Sequence, residues 1–289
     1  MPVITPEEAT NLSPVFKGRA GRLLFRAGLA LTGIGKVNDL YDRVQARGCT
    51  PGPDFAKGIL DDAGIVFRIG HPERLEALSQ GAFITVSNHI YGHLDGICLV
   101  DVVGHVRPKA KVLVNQLLMW IKDLTPNFIS VEPKTNTTTG VSATSVSGIK
   151  AALEQIRGGE PLCLFPSGAV ADLKPRDHWR ISERDWQDSA IRLIQKARVP
   201  VVPIRFPDRN SNFYYALGLI DYRVRFARLF HEVFNKRGTH PRIVIGEPIS
   251  PEELSLHKDL EDCKSFLRRS VYDMPLPQDY TLRSELWKK

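Results

Sequence analysis

The stretch Ser87-Asn88-His89-Ile90-Tyr91-Gly92-His93-Leu94-Asp95 sets an imidazole and a carboxylate six positions apart, directly behind the apolar run 82–86. A strand that ends in a histidine, with an aspartate a short turn later, provides a general base and the group that orients it. Such a pair takes a proton from an alcohol near neutral pH. His93 is a rival, because His93-x-Asp95 also pairs across a turn. A second feature is Leu162-Cys163-Leu164-Phe165-Pro166-Ser167-Gly168-Ala169, an apolar strand that runs into a Pro-Ser-Gly turn. Strand ends of this kind are where α/β sheets bind ligands. A third is Val199-Pro200-Val201-Val202-Pro203-Ile204, an apolar strand with proline at its entry and near its exit, which reads as edge-like at its entry.

These residues need elements to position them. From about residue 64 short apolar runs alternate with amphipathic stretches. Strands are expected over 65–69, 83–87, 111–115, 128–131, 162–165, 201–205 and 243–246. Helices are expected over 95–103, 146–157 and 187–197, with a last one over 251–269. This alternation predicts an α/β fold with a mixed, largely parallel sheet covered by helices. The Thr- and Ser-rich segment 135–147 reads as a loop that caps the following helix, with Thr144 or Ser145 near the N-cap.

The first sixty residues differ. Between positions 16 and 37 the chain carries Lys17, Arg19, Arg22, Arg26 and Lys36 with no acid, interleaved with large apolar residues. Such an amphipathic helix lies on an anionic membrane or packs on a core with a solvated basic face; both readings stand. Gly33 and Gly35 are expected to break it before a second helix over 38–45, and 49–53 reads as a loop. The chain is thus divided into a helical, membrane-contacting segment (1–60) and a catalytic domain with a C-terminal helix and tail (61–289).

The 289 residues suffice for one large domain with a substantial core, or for two small ones. The net charge of +7 favours an anionic partner, such as an acidic membrane surface or a phosphorylated substrate. No groove-reading or base-stacking module is recognisable, so nucleic acid is not expected. The four scattered cysteines share no metal-ligand spacing, which predicts a reducing compartment with neither disulfides nor a metal. The start lacks a secretory pattern and no apolar run reaches the length of a bilayer span, so a cytoplasmic protein is expected, peripheral on the inner face of the membrane.

Taken together and in this order, the three blocks resemble the glycerolipid (lysophospholipid) acyltransferase superfamily over about residues 64–250. Its signature runs from Asn-His-x4-Asp through Phe-Pro-Glu-Gly to Val-Pro-x-x-Pro. Here these are Asn88-His89 with Asp95, Phe165-Pro166-Ser167-Gly168, and the strand from Val199 to Pro203. The spacing from His89 to Asp95 is one residue longer than usual. That matches the Asn-His-Pro-Tyr-Gly-Gly-Ile-Asp-Gly block of a bacterial branch with hemolysin-like proteins and O-acyltransferases of amino-acid lipids. The family's second-block arginine and third-block glutamate, used around the phosphate end of the acceptor, are replaced by Val131-Glu132 and Ser167. Both losses point the acceptor away from glycerol phosphate.

The resemblance implies a glycerol-3-phosphate acyltransferase-like fold and an O-acyltransferase of membrane lipid biosynthesis. It would move a fatty acyl chain from acyl carrier protein or coenzyme A to a hydroxyl of a mono-acylated amino-acid lipid or a lysophospholipid, with no other cofactor and no metal. His89 would be the base and Asp95 its partner, with Asn88, Phe165, Pro166, Ser167 and Gly168 against the substrates. Backbone amides around Ser167-Gly168-Ala169 would stabilise the oxyanion. Lys174 and Arg176, with Arg180 and Arg184, bind the phosphopantetheine arm or a headgroup, or form a solvated basic loop. The arginine- and aromatic-rich tract 222–237 is a second expected membrane contact. Two alternatives are a serine hydrolase using Ser167, although no Gly-x-Ser-x-Gly elbow is present, and a non-catalytic membrane-binding protein of the same fold.

Overall fold

A computed structural model describes residues 33–131, 143–220 and 222–286. The expected helix over 16–37 falls outside these up to residue 32. Gly33 is left-handed (φ 78°) and precedes α1 (Ile34–Ala46), which runs through Gly35 without a break. α2 (Pro53–Ala63) follows at once, opened by a proline in its first turn and closed by left-handed Gly64. Then come β1 (Arg68–Gly70), α3 (Glu73–Glu76), β2 (Ile84–Ser87), α4 (His93–Val106), β3 (Lys111–Asn115) and β4 (Phe128–Val131). The chain continues with α5 (Ala143–Arg157), β5 (Leu162–Leu164), β6 (Asp172–Lys174), β7 (Arg180–Ser182), α6 (Asp188–Ala197) and β8 (Val201–Arg205). It ends with α7 (Asn212–Ile220), α8 (Tyr222–Phe234), β9 (Arg242–Ile245), α9 (Pro251–Leu254), α10 (Leu260–Tyr272), β10 (Thr281–Leu282) and α11 (Arg283–Leu286).

Eight strands form one sheet in the order β10-β1-β9-β8-β2-β5-β3-β4. The run β8-β2-β5-β3-β4 is parallel throughout, whereas β9 pairs antiparallel with β8, and β10 antiparallel with β1. This is the mixed, largely parallel α/β sheet expected. β8 lies inside the sheet between β9 and β2, and not at an edge as its prolines suggest. The Pro203 carbonyl still accepts from Gly246 N at 2.7 Å, so the ring costs a donor and not the pairing.

Strand alternation divides the core in two. Val202, Ile204 and Cys163 face a cluster with α1, α2 and α4, whereas Ile84, Val86, Leu162 and Leu164 face α5, α6 and α10. Helices therefore cover both faces, which is what near-continuous apolar strands require. The single helix expected over 251–269 is two helices, because Asp259 caps a new one by accepting from Glu261 N and Asp262 N, both at 3.0 Å. Thr144 and Ser145 fall in the first turn of α5, past its cap. Among the described residues no helix is long and apolar enough to cross a membrane.

Candidate active site

The parallel neighbours β8, β2 and β5 point their carboxyl ends to one edge of the sheet. The chain leaves β2 at Ser87, turns through Gly92 (φ 81°) and enters α4 at His93, so Asp95 becomes the third residue of that helix. Glycine is required at 92: a Cβ there would lie 2.8 Å from Leu229 Cδ2, on backbone that other residues rarely adopt. Asp95 Oδ2 accepts from Tyr91 N at 2.8 Å and Gly92 N at 3.0 Å, and meets His89 Nδ1 at 2.9 Å. The carboxylate is fully buried. Burial pushes its pKa up, and the hydrogen bond and charge of His89, with the two amides, oppose that rise. An ionised Asp95 makes Nδ1 the protonated ring nitrogen, which leaves Nε2 as the proton acceptor.

The part-exposed His89 ring stacks on Phe165, the first residue after β5, with centroids 4.4 Å apart. Its backbone is held as well. The amide of His89 donates to Glu183, and its carbonyl accepts from Ala171 N at 2.8 Å. Asp95 Oδ2 pairs with His89, so the rival pairing His93-x-Asp95 is not the one the structure forms. His93 is itself half-buried, stacked on Phe230 at 4.7 Å, and desolvation pulls it down to about 4.

Asn88, expected against the substrate, is spent on the scaffold. Its Nδ2 donates to Phe206 O at 2.8 Å and its Oδ1 accepts from Phe206 N at 2.7 Å, which ties the end of β2 to the end of β8. Ser167 is likewise buried, with its hydroxyl 2.9 Å from Glu183 Oε1 and 3.0 Å from Ala169 O. A serine enclosed in this way offers little room for an incoming ester. Pro166 is buried and its carbonyl accepts from Gln187 N at 2.9 Å. The Gly168 amide closes the turn onto Phe165 O at 2.9 Å, which removes it from the amides expected around an oxyanion. Lys174 Nζ donates to the backbone carbonyl of Glu183 at 2.5 Å, and Arg176 stands exposed in the β6–β7 turn.

Sequence reasoning missed Glu183. This buried acid gathers the His89 amide and Ser167 on Oε1, and Trp186 Nε1 (3.3 Å) and the Tyr272 hydroxyl on Oε2. Its signal was faint: an acid between Arg180 and Arg184, on a hairpin too short for a periodic pattern. It also missed Asn210, whose Nδ2 donates to Ile90 O at 3.1 Å.

A family model for acyltransferases matches residues 17–279. A lyso-glycine lipid O-acyltransferase of Bacteroides thetaiotaomicron is 27% identical over 231 residues, which cover 77% of this chain and 80% of that protein. Another of the same description, from Phocaeicola vulgatus, is 26% identical over 231 residues, covering 77% and 78%. With a histidine–aspartate pair at the carboxyl edge of its parallel strands and a match along most of its length, the chain belongs to the acyltransferase family.

Proposed function

We propose that the chain moves a fatty acyl group from a thioester of acyl carrier protein or coenzyme A to the hydroxyl of a mono-acylated amino-acid lipid. A lysophospholipid is the next acceptor in line. The reading rests foremost on the His89–Asp95 pair, whose buried carboxylate holds Nδ1 and leaves Nε2 to act. Two relatives described as acting on lyso-glycine lipid support the acceptor class. So do Ser167 and Val131-Glu132, which stand in place of the phosphate-end groups of the wider superfamily.

In the reaction His89 Nε2 takes the hydroxyl proton as the acceptor oxygen attacks the thioester carbonyl. The new C–O bond forms, the C–S bond breaks, and the proton passes to the departing thiolate. Asp95 stabilises the imidazolium that exists between the two transfers. The stack on Phe165 fixes the ring plane. Lys174 and Arg176 remain the candidates for the donor's phosphate groups, with Arg176 the more accessible.

The test is ester formation by purified protein from an acyl thioester and mono-acylated glycine lipid, read by mass spectrometry. His89→Ala should lower the rate about 10²- to 10⁴-fold, the usual contribution of a positioned base. Full activity in that variant would refute the assignment of the base. Product from lysophospholipid alone would replace the acceptor.

A further inference from the structure

α7 is built inside out for a helix in water. Its inner face, Tyr214 and Tyr215, is buried against Leu229, Val170, Leu173 and Ile181. Its outer face carries Phe213 (56% exposed), Leu219 (46%) and Ile220 (80%), with Ala216 exposed between them. No residue of the helix is charged. Trp179, 63% exposed, stands on the turn of the β6–β7 hairpin, whose Leu173 and Ile181 share that inner cluster. A soluble surface rarely gathers large apolar side chains in this way without a partner.

The surroundings say which partner. The Arg228 guanidinium lies 5.2 Å from the Phe213 ring centroid, Arg209 is exposed just before α7, and Arg176 and Arg180 are exposed beside Trp179. From Arg209 to His231 the chain has four arginines and one acid, Asp221. A second copy packed face to face would set Arg209 and Arg228 against their own symmetry mates. An anionic bilayer meets both halves of the pattern, since acyl chains accept Phe213 and Ile220 and headgroups accept the arginines. The position also serves the reaction. Leu229 borders Gly92, Phe230 stacks on His93, and Ala171, next to β6, bonds the His89 carbonyl, so this lobe covers the His89 end of the sheet.

We propose that the outer face of α7, flanked by Arg209, Arg228 and the Trp179 hairpin turn, docks the enzyme on an anionic lipid bilayer and presents the site to lipid there. This rests on the reading of the acceptor as a membrane lipid. It differs from the expectation for 222–237, because Leu229 and Val233 of α8 are buried and Phe230 packs on the core.

The experiment is cosedimentation of the full chain with phosphatidylcholine vesicles containing about 30 mol % phosphatidylglycerol, and with phosphatidylcholine alone. Wild type should pellet with the anionic vesicles. Phe213→Ser/Ile220→Ser and the single Ile220→Asp should each lower the bound fraction about fivefold or more. Arg228→Gln should weaken binding and its sensitivity to salt, and Leu256→Ser, at an exposed apolar residue outside this lobe (77%), should bind as wild type. All variants should melt as wild type and keep wild-type turnover on an acceptor dispersed in detergent, which reads the reaction separately from docking. Undiminished pelleting of both α7 variants would overturn the proposal. So would failure of wild type to bind, binding lost only on neutralising Arg19, Arg22 and Arg26, or a dimer that Phe213→Ser/Ile220→Ser dissolves.

Discussion

At the scale of single residues, His93 shows what burial does to an imidazole. Enclosure against Phe230, and then the charge of His89, hold its pKa near 4, below the ordinary 6.5. Such a histidine binds its proton more readily in the unfolded chain. The stability it supports is therefore complete above about pH 6.5 and is lost as pH falls toward about 4, by up to ~3 kcal/mol. Asp95, raised by burial, acts in the opposite sense, because the folded state then holds its proton more tightly. The difference between wild type and His93→Phe isolates the histidine. Urea midpoints between pH 4 and 7 should fall more steeply with acid in wild type than in the variant. Parallel curves would show that burial of His93 costs nothing on protonation.

Glu183 acts at the scale of elements. It sits one residue beyond β7, yet its carboxylate fastens the loop after β2, the turn after β5 and, through Tyr272, the end of α10. Glu183→Ala would leave those buried donors without an acceptor, and it should destabilise the protein by about 3 kcal/mol or more. Glu183→Gln keeps one acceptor oxygen for the His89 amide and Ser167. It should melt closer to wild type, with kcat reduced about tenfold and KM unchanged, since a displaced base slows the step and not binding. A Glu183→Ala protein that melts and turns over like wild type would remove this role. β2, β5, β8 and the His89–Asp95 block were legible because apolar runs and a tight spacing are local properties. The hairpin and β10 were not, since strands of two or three half-exposed residues carry no period.

Across the whole molecule, the end of the described chain is locked to the helix that carries Asp95. β10 lines the β1 edge, and the Arg283 amide donates to Phe67 O at 2.8 Å. The buried Arg283 guanidinium then pairs with Asp101 of α4 at 3.1 Å and with Asp61 of α2. Removing one partner of a buried pair strands the other charge. Arg283→Met should therefore cost about 3–5 kcal/mol, read by urea denaturation. Arg283→Met/Asp101→Leu should recover part of that loss, and simple additivity would mean the two do not communicate.

By itself, the sequence determined the α/β class, the order of the main strands and the spacing that makes His89 and Asp95 a pair. These depend on residues within a few positions of one another, where backbone geometry leaves few choices. Only the tertiary structure decided that Asn88 and Ser167 serve the scaffold, that β9 reverses direction, and that Glu183 gathers three elements. It also decided that the bare apolar face belongs to α7 and not α8. In each case the outcome turns on which distant donor, strand or helix arrives to claim a side chain, and a local pattern carries no record of that.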